Sequence, residues 1–162
     1  GLQRADAWVI SGSMGQDDQV ATTQLAGQPA LAEVRSVWQA VHTPQGEEVS
    51  VQGKRCVVMA GIARPERVRE ALVEAGGIVA ALPRLADHDP ISPVMLDQFR
   101  ALCSEADALV VTAKDAARLG DRLQPWPVPV WIPRVELTVS DGDVALRERV
   151  LLCRSLDFNN LT

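Results

Sequence analysis

The residues with most capacity for chemistry are Asp87-His88-Asp89, in which two carboxylates flank an imidazole. Such a trio can stabilise a charged imidazole, bind a cation or orient a catalytic base. The same three residue types also suit a solvated turn in which Asp and His bond to the local backbone, and the sequence alone leaves both readings open. A metal-dependent phosphoesterase would need a second acidic cluster on another strand end, which the chain lacks, and we expect no metal ligands. Gly61-Ile-Ala-Arg-Pro65 is a second candidate, because a glycine between strand and helix lets the backbone approach an anion. It is not a GxGxxG fingerprint, and GxxxxGK[ST] occurs nowhere, so this chain carries no phosphate loop of its own. Lys114 could contact a phosphate, with a solvated Lys in a capped first turn as the competing reading. His42 is read as a strand-end bystander, and Trp126 and Trp131 as packing residues.

These residues need elements to hold them, and the punctuation from residue 53 onward supplies three strand-loop-helix units. Cys56-Val-Val-Met-Ala60 is a continuous apolar strand, and Pro65 stands where a first helical residue should be. Val68, Leu72 and Val73 then recur at helical spacing until Gly76-Gly77 stops the helix. Gly77 to Leu82 is the next strand, and Ser92-Pro93 opens a helix expected to turn Leu96, Phe99 and Leu102 inward. Ala108 to Val111 is the third strand. Thr112-Ala-Lys-Asp115 after it has the form of a capping box, in which the Thr oxygen and the Asp carboxylate satisfy helix N–H groups. Continuous apolar strands alternating with amphipathic helices imply a parallel sheet covered on both faces. The fold class is therefore α/β, a Rossmann-like three-layer parallel sheet with helices on both faces, plus a short edge or hinge strand pair. In such a sheet the loops after the strands share one edge, and ligands bind there. Outside this core we expect a short strand at Ala7 to Ile10, a weak helix from Asp17 to Leu25, an edge strand near 34–42 and a strand near 135–139. The proline-rich segment from Pro125 to Pro133 should be a connector with a strand at Val128 to Ile132, and residues 143–156 a closing helix. We read residues 1–162 as a single α/β domain.

Composition narrows the function classes. The chain has 162 residues, 47% hydrophobic and 23% charged, which fits a folded core rather than a disordered tail. A net charge of −5 without a basic run argues against nucleic acid as a partner. The longest stretch without a charged side chain, Gln19 to Ala32, is 14 residues, short of the roughly 20 apolar residues a membrane span needs. Cys56, Cys103 and Cys153 are widely spaced in apolar surroundings, so a disulfide framework is not expected and a reducing cytoplasmic setting is. The opening Gly1-Leu-Gln-Arg reads as a cut end.

The order of these pieces resembles the C-terminal half of the tetraacyldisaccharide 4'-kinases, which phosphorylate the lipid A precursor. The matching stretches are Leu2 to Ile10, Val51 to Ile62 with Pro65-Glu66-Arg67, Asp87-His88, Ala108 to Thr112 and Lys114-Asp115-Ala116. The family usually has Gly-Ile-Gly-Asn-Pro at 61–65, Phe-Pro-Asp-His-His at 85–89 and Thr-Glu-Lys-Asp at 112–115. This chain differs at Arg64, Asp89 and Ala113, among others.

The resemblance implies a lid facing a phosphate-loop half across an ATP site and tied to it by a two-stranded hinge, with the strands near 34–42 and 135–139 as the hinge-like pair. It implies that His88, held by Asp87, assists an aspartate base of the other half, and that Gly61, Thr112 and Lys114 serve nucleotide binding. ATP and Mg would be held mainly by the N-terminal half, so this piece alone should be inactive. The implied partners are that half and the lipid disaccharide. The implied location is cytoplasmic, at most peripheral on the cytoplasmic face of the inner membrane. The alternative is a non-catalytic stand-alone α/β ligand-binding or interaction module, with Arg64, Asp89 and Ala113 marking lost catalysis.

Overall fold

Each apolar run marked above becomes a strand, and the glycines and caps between them end or start helices. The computed structural model describes residues 7–11, 27, 30–85, 91–123 and 125–158. Asp87, His88 and Asp89, and the helix expected from Asp17 to Leu25, lie outside the described residues. In chain order the elements are β1 (Val9–Ser11), β2 (Ala32–His42), β3 (Glu48–Val49), β4 (Arg55–Met59), α1 (Glu66–Glu74), β5 (Ile78–Ala81), α2 (Pro93–Leu102), β6 (Ala108–Val111), α3 (Ala113–Leu119), β7 (Val130–Asp141) and α4 (Asp143–Phe158). Short 3₁₀ turns at Cys103–Glu105 and Gly120–Leu123 extend α2 and α3.

The chain forms two compact units, residues 38–135 and residues 1–37 with 136–162. In the larger unit the strand order is β7-β6-β4-β5. All three pairings are parallel, with Cys56 opposite Ala108, Arg55 opposite Ile78 and Leu109 opposite Val130. The three strands expected to be parallel neighbours are so, with β4 in the middle. The sequence period of two sorts their side chains to two faces. Val57, Met59, Leu109, Val111 and Val130 pack with Leu96 and Phe99 of α2 and Ala116 and Leu119 of α3. Cys56, Val58, Ala108, Val110 and Trp131 pack with Val68 and Leu72 of α1 on the other side. The larger unit is thus the three-layer α/β arrangement, and β4 and β6 read as unbroken apolar runs because both of their faces are buried. In β5, Val79 joins one core and Ala81 the other despite equal parity, because the register with β4 slips between Cys56 and Val57.

Three local expectations are corrected. Val73 is 55% exposed, since it lies one residue (about 100° of helix) beyond the buried Leu72. Leu102 is 41% exposed for the same kind of reason, and Cys103, seven residues after Leu96, takes the inward position. The two strands expected around the prolines are one, β7, which runs through Pro133. Its register with β6 covers Val130 and Trp131 and ends before Pro133, which has no N–H to give. At the end of α1, Gly76 adopts φ +84, and the Gly76 and Gly77 amides donate to Val73 and Leu72 carbonyls, closing the last turn.

The smaller unit holds β1 parallel to the start of β2, with Val9 opposite Ala32, and the Leu31 amide donates to the Trp8 carbonyl at 2.9 Å. Thr138 Oγ1 of β7 donates to the Arg35 carbonyl of β2, and Arg147 pairs with Asp143 at 2.9 Å within α4. Among the described residues, no helix is long and apolar enough to cross a membrane.

Candidate functional site

The adjacent parallel strands β4 and β6 end level with one another, Met59 opposite Val111, so the residues that follow them emerge side by side at the carboxyl edge. Gly61 follows β4 and Thr112 follows β6. The Thr112 amide stays on the Met59 carbonyl at 3.3 Å, and its extended backbone turns the chain into α3. As the cap spacing predicts, Thr112 Oγ1 accepts from the Asp115 amide at 3.2 Å.

The other half of the expected capping box is different. The Asp115 carboxylate does not bond a helix N–H. Its Oδ2 accepts the Gly61 amide and the Thr112 hydroxyl, each at 2.7 Å, and its Oδ1 accepts from Arg118 Nη1 at 3.0 Å. Asp115 is completely buried and is the sole buried charged residue among those described. A buried carboxylate needs this many donors, because removing its water without replacing those bonds is costly. At the other backbone group of the same residue, Lys114 Nζ donates to the Gly61 carbonyl at 3.2 Å. The first turn of α3 therefore grips the loop after β4 at both its N–H and its C=O.

Glycine is required at 61 by proximity. A Cβ there would stand 2.9 Å from Asp115 Oδ1 and 3.2 Å from Arg118 Nη1. The sequence suggested that Gly61 lets the backbone approach an anion, and the anion it meets in this structure is Asp115. Beyond the loop, the rest of the 61–65 segment starts α1 without help from a side chain. Arg64 is exposed, no side chain caps the helix, and Pro65 supplies the helical backbone angles.

Beside this cluster lies an open pocket of about 370 Å³, with Trp38, Ile62, Val68 and Pro133 as apolar walls and Thr112, Lys114 and Arg134 as polar lining. Its two charged side chains are both cationic. A groove of about 450 Å³ runs along β2 and β3, but Glu48 is its one ionisable lining residue, so it holds no acid–base pair. Trp131 is buried in the core, and Trp126 donates its indole N–H to the Arg122 carbonyl at 3.2 Å, so both tryptophans serve packing.

Gly61, Thr112 and Lys114, picked from sequence at separate positions, are brought together here. Asp115 was legible as a cap residue but not as the centre of the cluster, and Arg118 was not singled out. The available signal for Arg118 was its place three residues after an acid on a short helix, the spacing of an ion pair. The segment carrying Asp87 and His88 is flanked by Leu85 and Ile91, both buried in the core that contains Val111 and Ala116. The buried thiols are not nucleophiles. Burial, then the Asp107 charge, opposed by Lys54, pushes Cys56 up to about 11, and burial does the same to Cys103.

Comparison with known proteins assigns this arrangement to a family. The family profile described as Tetraacyldisaccharide-1-P 4'-kinase matches residues 1–152. A tetraacyldisaccharide 4'-kinase of Gluconobacter oxydans is 34% identical over 152 residues, covering 93% of this chain and 42% of the relative. That of Paramagnetospirillum magneticum is 35% identical over 126 residues, covering 74% of this chain and 34% of the relative. This chain thus spans a third to two fifths of the length of these relatives. The crystal structure of the "apo" form LpxK from Aquifex aeolicus in complex with ATP superposes with a TM-score of 0.50, covering 94% of this chain and 43% of that one. At 16% identity that likeness speaks for the fold. Taken with the profile match over both compact units, these relatives establish that the chain belongs to the tetraacyldisaccharide 4'-kinase family.

Proposed function

We propose that this chain is the C-terminal part of an ATP-dependent kinase that phosphorylates the 4'-hydroxyl of a tetraacyldisaccharide 1-phosphate in lipid A biosynthesis. The observation that carries the reading is the family match from residue 1 to residue 152, which spans both compact units rather than a shared α/β core. In this reading the chain is a lid, and the N-terminal half supplies the phosphate loop and most of the grip on ATP and Mg. Phosphoryl transfer depends mainly on positioning and on charge stabilisation, with a base to take the attacking hydroxyl's proton. His88, oriented by Asp87, would steady an aspartate base of the other half as that proton arrives.

The donors around Gly61 divide the nucleotide-binding role. The Gly61 amide and the Thr112 hydroxyl are both given to Asp115, so they would act on the nucleotide by holding the loop. Lys114 carries the charge suited to meet a phosphate, from the rim of the cationic pocket. The bound nucleotide supplies the transferable phosphoryl group. On this reading the protein works in the cytoplasm, at most peripherally on the inner membrane, and its partners are the phosphate-loop half and the lipid.

The test is to join the chain to a phosphate-loop half and follow phosphate from labelled ATP onto tetraacyldisaccharide 1-phosphate. Transfer by the joined protein and none by the chain alone is the expected result. A folded, joined protein with no transfer would favour the non-catalytic module. The coding sequence before Gly1 offers a cheaper check, since a GxxxxGK[ST] loop there supports the kinase.

A further inference from the structure

The pocket of about 370 Å³ beside the Gly61 cluster draws its walls from separate elements of the larger unit. Trp38 comes from β2, Ile62 from the loop after β4, Val68 from α1, Lys114 from the first turn of α3, and Pro133 and Arg134 from β7. The pairing of β7 with β6 stops at Trp131, before Pro133, which has no N–H to extend it, and the pocket opens beyond that point. Its floor is firm. Val68 is buried, and Trp38 and Ile62 are half-buried against the core that holds Cys56, Val58 and Trp131. Ile62 follows Gly61, whose amide and carbonyl are held by Asp115 and Lys114, so this wall is fixed before anything binds.

The chemistry of the lining is uneven. On a chain of net charge −5, the two ionisable groups of the pocket are both cations, Lys114 and Arg134. Its one hydroxyl, that of Thr112, is committed, because it donates to Asp115 Oδ2 and accepts the Asp115 amide. Among the described residues no amide or carboxylate side chain lines the pocket, so the walls lack the placed polar side chains that would read the edge of a nucleobase. Hydrocarbon bearing a negative group suits them better. The chain is taken out of water against Trp38, Ile62 and Pro133, and a cation at the mouth meets the anion. Lys114 already holds the Gly61 carbonyl, whereas the forked guanidinium of Arg134 has the shape that matches a phosphate.

We infer that this pocket receives an anionic amphiphile, the acyl-bearing end of the phosphorylated lipid acceptor, with its hydrocarbon on Trp38, Ile62 and Pro133 and its negative group on Arg134. Lys114, at the same rim, keeps its role toward the nucleotide. That the amphiphile is the kinase's acceptor rests on the kinase reading above; that the pocket takes hydrocarbon and negative charge together does not.

The test titrates the chain calorimetrically with octyl phosphate below its micelle concentration. Octyl glucoside, inorganic phosphate and adenosine monophosphate serve as the hydrocarbon alone, the charge alone, and the charge with a nucleobase. Octyl phosphate should bind at least about tenfold more tightly than any of the three. Arg134→Met and Trp38→Ala should each weaken it by about tenfold, Trp38→Phe by less, and Arg100→Met, a cation over Trp126 and outside the pocket, by less than about twofold. In methyl spectra the Ile62 signal should move on binding while that of Ile78, exposed on β5, stays. Equal binding of adenosine monophosphate would give the pocket to the nucleotide and overturn the inference. Equal binding of octyl glucoside, an unmoved Ile62 signal, or equal losses in Arg134→Met and Arg100→Met would overturn it too. In the joined enzyme, Arg134→Met should raise KM for the lipid by about tenfold and leave KM for ATP within about twofold. A lipid KM that does not rise would overturn the assignment to the acceptor. If the joined parent enzyme transfers no phosphate, the kinase reading fails and the titration decides alone. Preferred binding of octyl phosphate then keeps the amphiphile site, and its absence ends it.

Discussion

Replacing Asp115 with Asn tests whether the site is organised as described. The side chain is fully buried and accepts from Gly61 N, Thr112 Oγ1 and Arg118 Nη1. An amide of the same shape keeps one oxygen and turns the other into a donor. Whichever way it is rotated, that NH₂ then faces a donor, either the Gly61 amide with the Thr112 hydroxyl or the Arg118 guanidinium. Breaking a buried ion pair from one side costs about 3–5 kcal/mol. Arg118 retains 29% exposure, so water meets part of the charge that Asp115 no longer faces and the lower end of that range applies, about 3 kcal/mol. For a chain of this size that corresponds to a fall in melting temperature of roughly 6–12 °C. Urea denaturation followed by tryptophan fluorescence and by circular dichroism would measure it. Because the pair is buried, the loss should change little between low and high salt. An unfolding free energy within about 1 kcal/mol of the parent would refute the claim that Asp115 ties the β4 loop to α3, and loss of most of the effect at high salt would show the pair to be solvated.

Gly61→Ala should cost about 1–3 kcal/mol, because the new methyl must displace Asp115 Oδ1 or Arg118 Nη1, and in the joined enzyme it should weaken activity more than an alanine at the exposed Arg64; equal effects at the two positions would contradict this. Cys56 and Cys103 should resist alkylation at neutral pH in the native chain and react once it is unfolded, as read by mass spectrometry of their peptides. The folded thiols titrate at about 11 against an ordinary 9.0, so the stability gained by keeping them neutral is complete below pH 9 and is lost as pH rises through 11; a urea midpoint that does not fall across that window would count against their burial. The chain by itself should bind Mg-ATP more weakly than micromolar, since it has no phosphate loop, and calorimetric titration giving micromolar affinity would contradict the lid assignment.

Much of the fold was legible because its signals are local. An apolar run with Pro65, Gly76 or Ser92-Pro93 beside it states where a strand or helix begins and ends within a few residues of sequence. Two apolar residues one position apart, such as Leu72 and Val73, cannot both face the core, and the sequence does not say which does. β7 was divided in two because Pro133 reads as a stop, whereas in three dimensions the β6 pairing has already ended before it. The site was half legible for a related reason. Thr112 to Asp115 is a local pattern, and its hydroxyl-to-amide bond appears as expected. The acceptance of the Gly61 amide by Asp115 joins residues 54 apart and follows only from β4 and β6 being level neighbours. The bond from Arg122 Nη1 to the Ile91 carbonyl, 31 residues away in sequence, is invisible to sequence reasoning for the same reason.

The central claim is that this chain brings a proton-transfer assistant to a kinase site built by another half. Turnover of the joined enzyme with His88→Ala, at saturating ATP and lipid, tests it most directly. The account predicts a loss of roughly 10²-fold or more with the melting temperature little changed. Unchanged turnover, or a loss that merely tracks a fall in melting temperature, would contradict it and return Asp87-His88 to the standing of an ordinary turn.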